Sequence, residues 1–192
     1  MTKVVLFHHV LGLTPGVSVL ADQLRTGGHT VETPDLFAGQ TFTDIAAGLA
    51  HVNELGEAEL LSRAEQACAG LPTGVVYAGL SLGVVPAQHL LQTRAGAAGA
   101  VLLHSFIPPH QVAGQWPSNC PVELYGTDAD SFFVADGDLD AARDWQVNHP
   151  NLHLHLYPGS GHLFLEPGMP DHDPELAWTV TRDILAALAG MN

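Results

Sequence analysis

Three short stretches carry side chains that, brought together, would transfer an acyl group. The first is Gly79-Leu80-Ser81-Leu82-Gly83, which joins the apolar run Val75–Leu80 to an alanine- and leucine-rich helical pattern. A serine at so sharp a strand-to-helix turn is held in a strained backbone with its hydroxyl thrust above the sheet. The flanking glycines then serve where neighbouring chains leave no room for a Cβ. A helix starting at this point would aim the unpaired amide of Leu82 at an oxyanion forming beside Ser81. A hydroxyl attacks a carbonyl only if a base removes its proton and an acid holds that base in the right tautomer. His162 is the candidate base, in the loop Tyr157-Pro158-Gly159-Ser160-Gly161-His162 at the end of a predicted strand. The candidate acid is Asp130 or Asp128, both in the loop after Tyr125. Asp136 and Asp138, slightly further on, read as the start of a helix.

These residues need elements to position them, and the chain alternates between two periodicities. Apolar runs bounded by Gly or Pro predict strands over Lys3–His8, His29–Pro34, Gly74–Gly79, Gly99–His104, Pro121–Gly126 and Leu152–Pro158. Between them, helical spacing covers Ser18–Gly28, with Val19, Leu20 and Leu24 on one face, and Glu57–Gly70, around Leu60, Leu61 and Ala64. Two further helices are predicted over Asp138–Pro150 and Asp173–Gly190. Such alternation predicts an α/β, doubly wound, mostly parallel sheet of about six strands with helices on both faces. Asp35–Gly56 reads as a loop followed by one irregular helix. The segment Ser105–Asn119 is too short for a lid domain, so residues 1–192 are expected to form a single domain.

Composition narrows the function. Six Lys and Arg face twenty Asp and Glu, a formal charge of −14. Nothing basic is available to neutralise phosphates, which argues against nucleic acid and against anionic membrane surfaces. No stretch approaches a membrane span, and the N-terminal apolar run is too short for a signal peptide. Cys68 and Cys120 lie in no metal or redox spacing, which fits a cytoplasmic protein. The twelve histidines raise a metal-binding alternative, through His8-His9, His153 and His155, or Asp171-His172-Asp173, but none of these forms a recognised zinc spacing. A hydrolase-like fold that binds a ligand without turnover is the other alternative.

The chain resembles the α/β-hydrolase superfamily, and within it the dienelactone hydrolase family. The resemblance rests on LFHHVLGLTPG after the first strand, TPDLFAGQTF after the second, AGLSLGVVPAQ at the serine turn, PVELYG with its acidic loop, and YPGSGHLF. It implies a serine hydrolase of small, soluble esters or lactones, with no cofactor and no metal. Ser81 is then the nucleophile, His162 the base and an aspartate after Tyr125 the acid. The run Asp130-Ser131-Phe132-Phe133 favours Asp130, while counting from Gly126 leaves Asp128 open. The amides of Leu82 and Val10 would form the oxyanion hole. Two departures stand out. The family's well-known nucleophile is cysteine, and His9 stands where the family carries a glutamate that touches it. The family also holds a substrate carboxylate with arginines, and around Glu166 there is none, which argues for another ester or lactone. His9, Leu11, Phe106, Trp116 and Phe164 are expected to line the pocket with Val10 and Phe37. Each of the apolar ones would serve equally well as core.

Overall fold

The structure, a computed structural model, describes residues 1–191. Six strands form one parallel sheet: β1 (Lys3–Phe7), β2 (Thr30–Glu32), β3 (Val75–Leu80), β4 (Gly99–Leu103), β5 (Val122–Thr127) and β6 (Leu152–Tyr157). Their order across the sheet is β2-β1-β3-β4-β5-β6, every neighbouring pair being parallel. β1, β3, β4 and β5 are nearly continuous apolar runs because both faces are covered. Alternate residues feed opposite layers. Val5, Phe7, Val75, Tyr77, Ala100 and Leu102 enter one core, and Val4, Leu6, Val76, Ala78, Val101 and Leu103 the other.

The helices divide accordingly. α1 (Pro15–Thr26) and α7 (Pro174–Gly190) cover one face through Leu20, Leu24, Val180, Ile184 and Leu188. α2 (Ile45–Leu55), α3 (Glu57–Cys68), α4 (Val84–Thr93), α5 (Ser131–Ala135) and α6 (Asp138–Gln146) lie on the other. Each large aliphatic side chain so buried contributes about 1.5–3 kcal/mol relative to exposure. Among the described residues no helix is long and apolar enough to cross a membrane.

Several boundaries differ from expectation for local reasons. α1 begins three residues early because the Thr14 hydroxyl accepts from the Val17 amide and Pro15 supplies the first helical residue. That phase buries Val17, Leu20, Ala21 and Leu24 and turns Val19 outward, 47% exposed. The expected irregular helix in Asp35–Gly56 is a regular one, α2. Asp44 caps its start, and Gly56, at φ +80°, separates it from α3. α5, unexpected from the sequence, is a short helix capped by the Asp130 side chain, whose Oδ1 accepts from the Phe132 amide at 2.9 Å.

His8 ties the crossing from β1 to the 35–37 segment. Its Nδ1–H donates to the His9 carbonyl at 2.8 Å, and its Nε2 accepts from the Leu36 amide at 3.1 Å. The ring also meets Phe37 edge-on at 4.6 Å. Only the neutral imidazole satisfies both bonds, and burial pushes its pKa down to about 4. Below pH 6.5 the unfolded chain takes up a proton that the folded one refuses. Stability therefore falls as pH drops from 6.5 toward 4, by about 3 kcal/mol from this residue. Denaturant unfolding at several pH values should show a shallower acid loss in His8→Gln than in the native chain. Parallel curves would contradict the assignment. Glu123, Glu166 and Asp183, whose pKa values are lowered, lose stability in the same direction below about 4.5, so the difference between the two chains isolates His8.

Candidate active site

The chain leaves β1 outward to β2, then returns past β1 to β3, so the order reverses between β1 and β3. Open parallel sheets bind ligands at the carboxyl ends of the strands where this occurs. Ser81 follows the last residue of β3, and Val10 lies in the turn after β1. Ser81 has φ +50°, one of three non-glycine residues with positive φ among those described. A Cβ on Gly79 would run into the carbonyl of Gly83, and one on Gly83 into that of Phe7, so both flanking glycines are required by space.

The Ser81 hydroxyl lies 2.8 Å from His162 Nε2. His162 Nδ1 lies 2.7 Å from Asp130 Oδ2, in a carboxyl group with no exposure to solvent. An ionised carboxylate only accepts, so Nδ1 carries the proton and Nε2 is free to accept from the serine. Asp130 divides its two oxygens between capping α5 and holding the imidazole. Asp128, the open alternative, is exposed and accepts from the Gly159 amide at 3.1 Å instead. The histidine loop has its own anchor, unforeseen from sequence. Asp171 Oδ2 accepts from the amides of His162 (2.7 Å) and Leu163 (2.9 Å), and Thr127 Oγ1 donates to the Gly161 carbonyl. No local pattern marks Asp171, because the bond joins residues nine apart in an irregular segment.

The Leu82 amide occupies the first turn of helix after Ser81, where no intrahelical acceptor exists. The Val10 amide makes no hydrogen bond to the described residues. Both residues border a cavity of about 240 Å³ that Ser81 and His162 also line. The remaining walls are Ile45 and Leu49 of α2, His104 and Ser105 after β4, Phe132 of α5, and Asp136 and Asp138. The aromatic walls expected from sequence are elsewhere. Phe37, Phe106 and Phe164 are fully buried core, Trp116 packs edge-on against Phe106 at 5.9 Å, and Leu11 joins Leu163 in a small cluster beneath the loop. Rings of that volume fill the layers between sheet and helices. The crevice is walled instead by Ile45 and Leu49 of α2, spaced four apart, by Phe132 of α5 and by Asp136 at the end of that helix. A wider surface groove of about 560 Å³ between α1 and α7 shares no residue with this site.

His9 does not reach the Ser81 cavity. Leu11 N–H donates to its Nδ1, so its Nε2–H donates to Glu166 Oε2 at 2.9 Å, where the Thr14 hydroxyl also donates. Burial alone would raise the Glu166 pKa, but these bonds outweigh it and hold the carboxyl below its usual range. His104 is different. It is buried with φ +65°, neither ring nitrogen has a partner among the described residues, and its ring centroid lies 5.5 Å from that of His162. Burial, reinforced by the neighbouring histidines, holds its pKa well below the ordinary value, so a neutral ring backs the site.

The other histidines singled out from sequence are engaged separately. His153 and His155 both bond Glu123, at 2.7 and 2.6 Å. His172 bonds the Phe164 carbonyl, and Asp173 caps α7. Among the described residues no three such side chains converge as metal ligands would.

Comparison with known proteins places this fold in a family. A dienelactone hydrolase from Anabaena variabilis superposes with a TM-score of 0.67 at 19% identity, over 98% of this chain and 86% of that one. A dienelactone hydrolase-like promiscuous phosphotriesterase from metagenomic libraries gives 0.73 at 19% identity, over 97% and 86%. A cold-adapted esterase from an Arctic intertidal metagenomic library gives 0.64 at 17%, over 97% and 82%. At such identities the likeness is one of fold, the α/β-hydrolase fold. No curated protein matches the sequence. The model of the dienelactone hydrolase family, however, matches residues 1–189, nearly the whole chain. Family model and fold agree, and the chain is a hydrolase that belongs to the dienelactone hydrolase family.

Proposed function

We propose that this protein cleaves a small ester or lactone by acyl transfer through Ser81, His162 and Asp130, its whole length acting as one domain. The observation that carries the reading is the continuous chain of bonds from Ser81 Oγ to His162 and on to a fully buried carboxylate. His162 Nε2 takes the hydroxyl proton as Oγ attacks the carbonyl carbon. The new oxyanion is held by the Leu82 and Val10 amides. His162 then returns its proton to the departing alkoxide, leaving Ser81 acylated. Water, deprotonated by the same imidazole, repeats the addition and releases the acid. Each oxyanion donor is worth roughly 3–4 kcal/mol of barrier. The cycle calls for no cofactor. Cys68 and Cys120 are free and buried, and burial pushes the Cys68 thiol up to about 11. Two such unreactive thiols support a cytoplasmic setting.

A fluorophosphonate, which reacts with activated serines, tests the assignment. The native chain should gain one adduct, mapped to the peptide containing Ser81, and lose ester hydrolysis in step with labelling. Equal labelling of Ser81→Ala would overturn the nucleophile.

A further inference from the structure

The cavity beside Ser81 contains two carboxylates that the acyl-transfer cycle does not use. Asp136 is exposed and makes no side-chain hydrogen bond to the described residues. Asp138 accepts from Ser105 Oγ (2.7 Å) and the Phe106 amide (2.9 Å) through Oδ2 alone, leaving Oδ1 open. No positive side chain answers them. The chain has six Lys and Arg in all, and none lines the cavity. Lys3 pairs with Glu32, Arg25 with Asp22, Arg63 with Glu59, Arg143 with Asp140 and Arg182 with Asp183. Arg94 donates to the carbonyls of Cys68 and Leu71. The apolar part of the lining is Val10, Ile45, Leu49, Leu82 and Phe132, beside the polar Ser81, His104, Ser105 and His162.

A cavity with five apolar walls and two carboxylates that no lysine or arginine answers suits a ligand that is largely hydrocarbon and carries a positive charge. An anionic substrate would meet repulsion there, with no cation to offset it. The field of a chain with fourteen excess negative charges adds to both effects. We infer that Asp136 and Asp138 select the substrate, and that the preferred substrate is a small ester bearing an ammonium group. This rests on the acyl-transfer reading of Ser81. Asp136 and Asp138 act on the non-reacting end of the substrate. Any help they give to the imidazolium at His162 is common to charged and uncharged esters, and it cancels in a ratio of the two.

The test compares isosteres that differ only in charge. One pair is acetylcholine and its uncharged tert-butyl analogue, with the charge on the alcohol side. The other is the ethyl ester of trimethylammonio-butanoate and its tert-butyl analogue, with the charge on the acyl side. In at least one pair the cationic ester should have the higher kcat/KM, by about tenfold at low ionic strength, as expected for charges a few ångströms apart at a partly wet site. The preference should shrink in high salt and fall severalfold in Asp136→Asn. Asp138→Asn, which keeps an oxygen for Ser105 and Phe106, provides the second variant. Binding is read apart from turnover by NMR titration of choline against its uncharged tert-butyl analogue. Equal values within both ester pairs, or a preference unchanged in both variants, would overturn the inference. Ester hydrolysis surviving in Ser81→Ala would instead strike the acyl-transfer reading, leaving the choline titration to judge the carboxylates.

Discussion

Replacing Ser81 with alanine is expected to lower kcat/KM for a small ester by a factor on the order of 10^4 to 10^6. In a hydrogen-bonded triad the hydroxyl and the imidazole act as a unit, so losing either removes most of what the three provide together. What survives is the contribution of the Leu82 and Val10 amides and of substrate binding. The loss should fall on kcat, because the methyl side chain leaves the cavity walls in place. Alanine at φ +50° carries the same left-handed backbone cost as serine, so thermal stability should stay close to native. A variant within tenfold of native activity would show that the nucleophile is elsewhere.

The second large effect separates the two aspartates. Asp130→Asn should cost about 10^4 in kcat, because an amide in place of the carboxylate no longer enforces the proton on His162 Nδ1 and no longer stabilises the imidazolium. The Asn oxygen can still cap α5, so the fold should persist, and the defect should appear in the rate rather than in the melting temperature. Asp128→Asn should retain activity within a few-fold, since the Asp128 side chain accepts from the Gly159 amide and makes no bond to His162. Kinetics on both variants, together with thermal unfolding, checks this. Equal losses in the two, or a larger loss in Asp128→Asn, would reverse the assignment.

Much of this architecture is legible in the residues themselves. The nearly continuous apolar runs of β1, β3 and β4 are stable only between two layers of helix, and the alternation of strands with helical spacing leaves little but a doubly wound sheet. β2, three residues long, is shorter than the expected His29–Pro34, and it pairs with β1 alone at the sheet edge. The proximity of Ser81 and His162 is legible too, since each sits just past the carboxyl end of a strand and the parallel sheet brings those ends together. The choice between Asp128 and Asp130 is not, because it depends on how α5 turns the backbone after β5. Pocket walls are the least legible part. Phe106, Trp116 and Phe164 are apolar in the same way as Ile45, Leu49 and Phe132, and only the seating of α2 and α5 over the strand ends decides which set is core and which faces the crevice. His9 shows the same limit. Its partner, Glu166, lies 157 residues away, and no local pattern announces the pair.

The most direct test of Ser81 as acyl acceptor is rapid-quench mass spectrometry of the enzyme reacting with an activated short-chain ester. The protein should gain the mass of one acyl group within the first turnover, on the peptide spanning Ser81, and lose it at the steady-state rate of hydrolysis. An enzyme that turns the ester over with no acyl group on Ser81, or with the group on another residue, would contradict the mechanism.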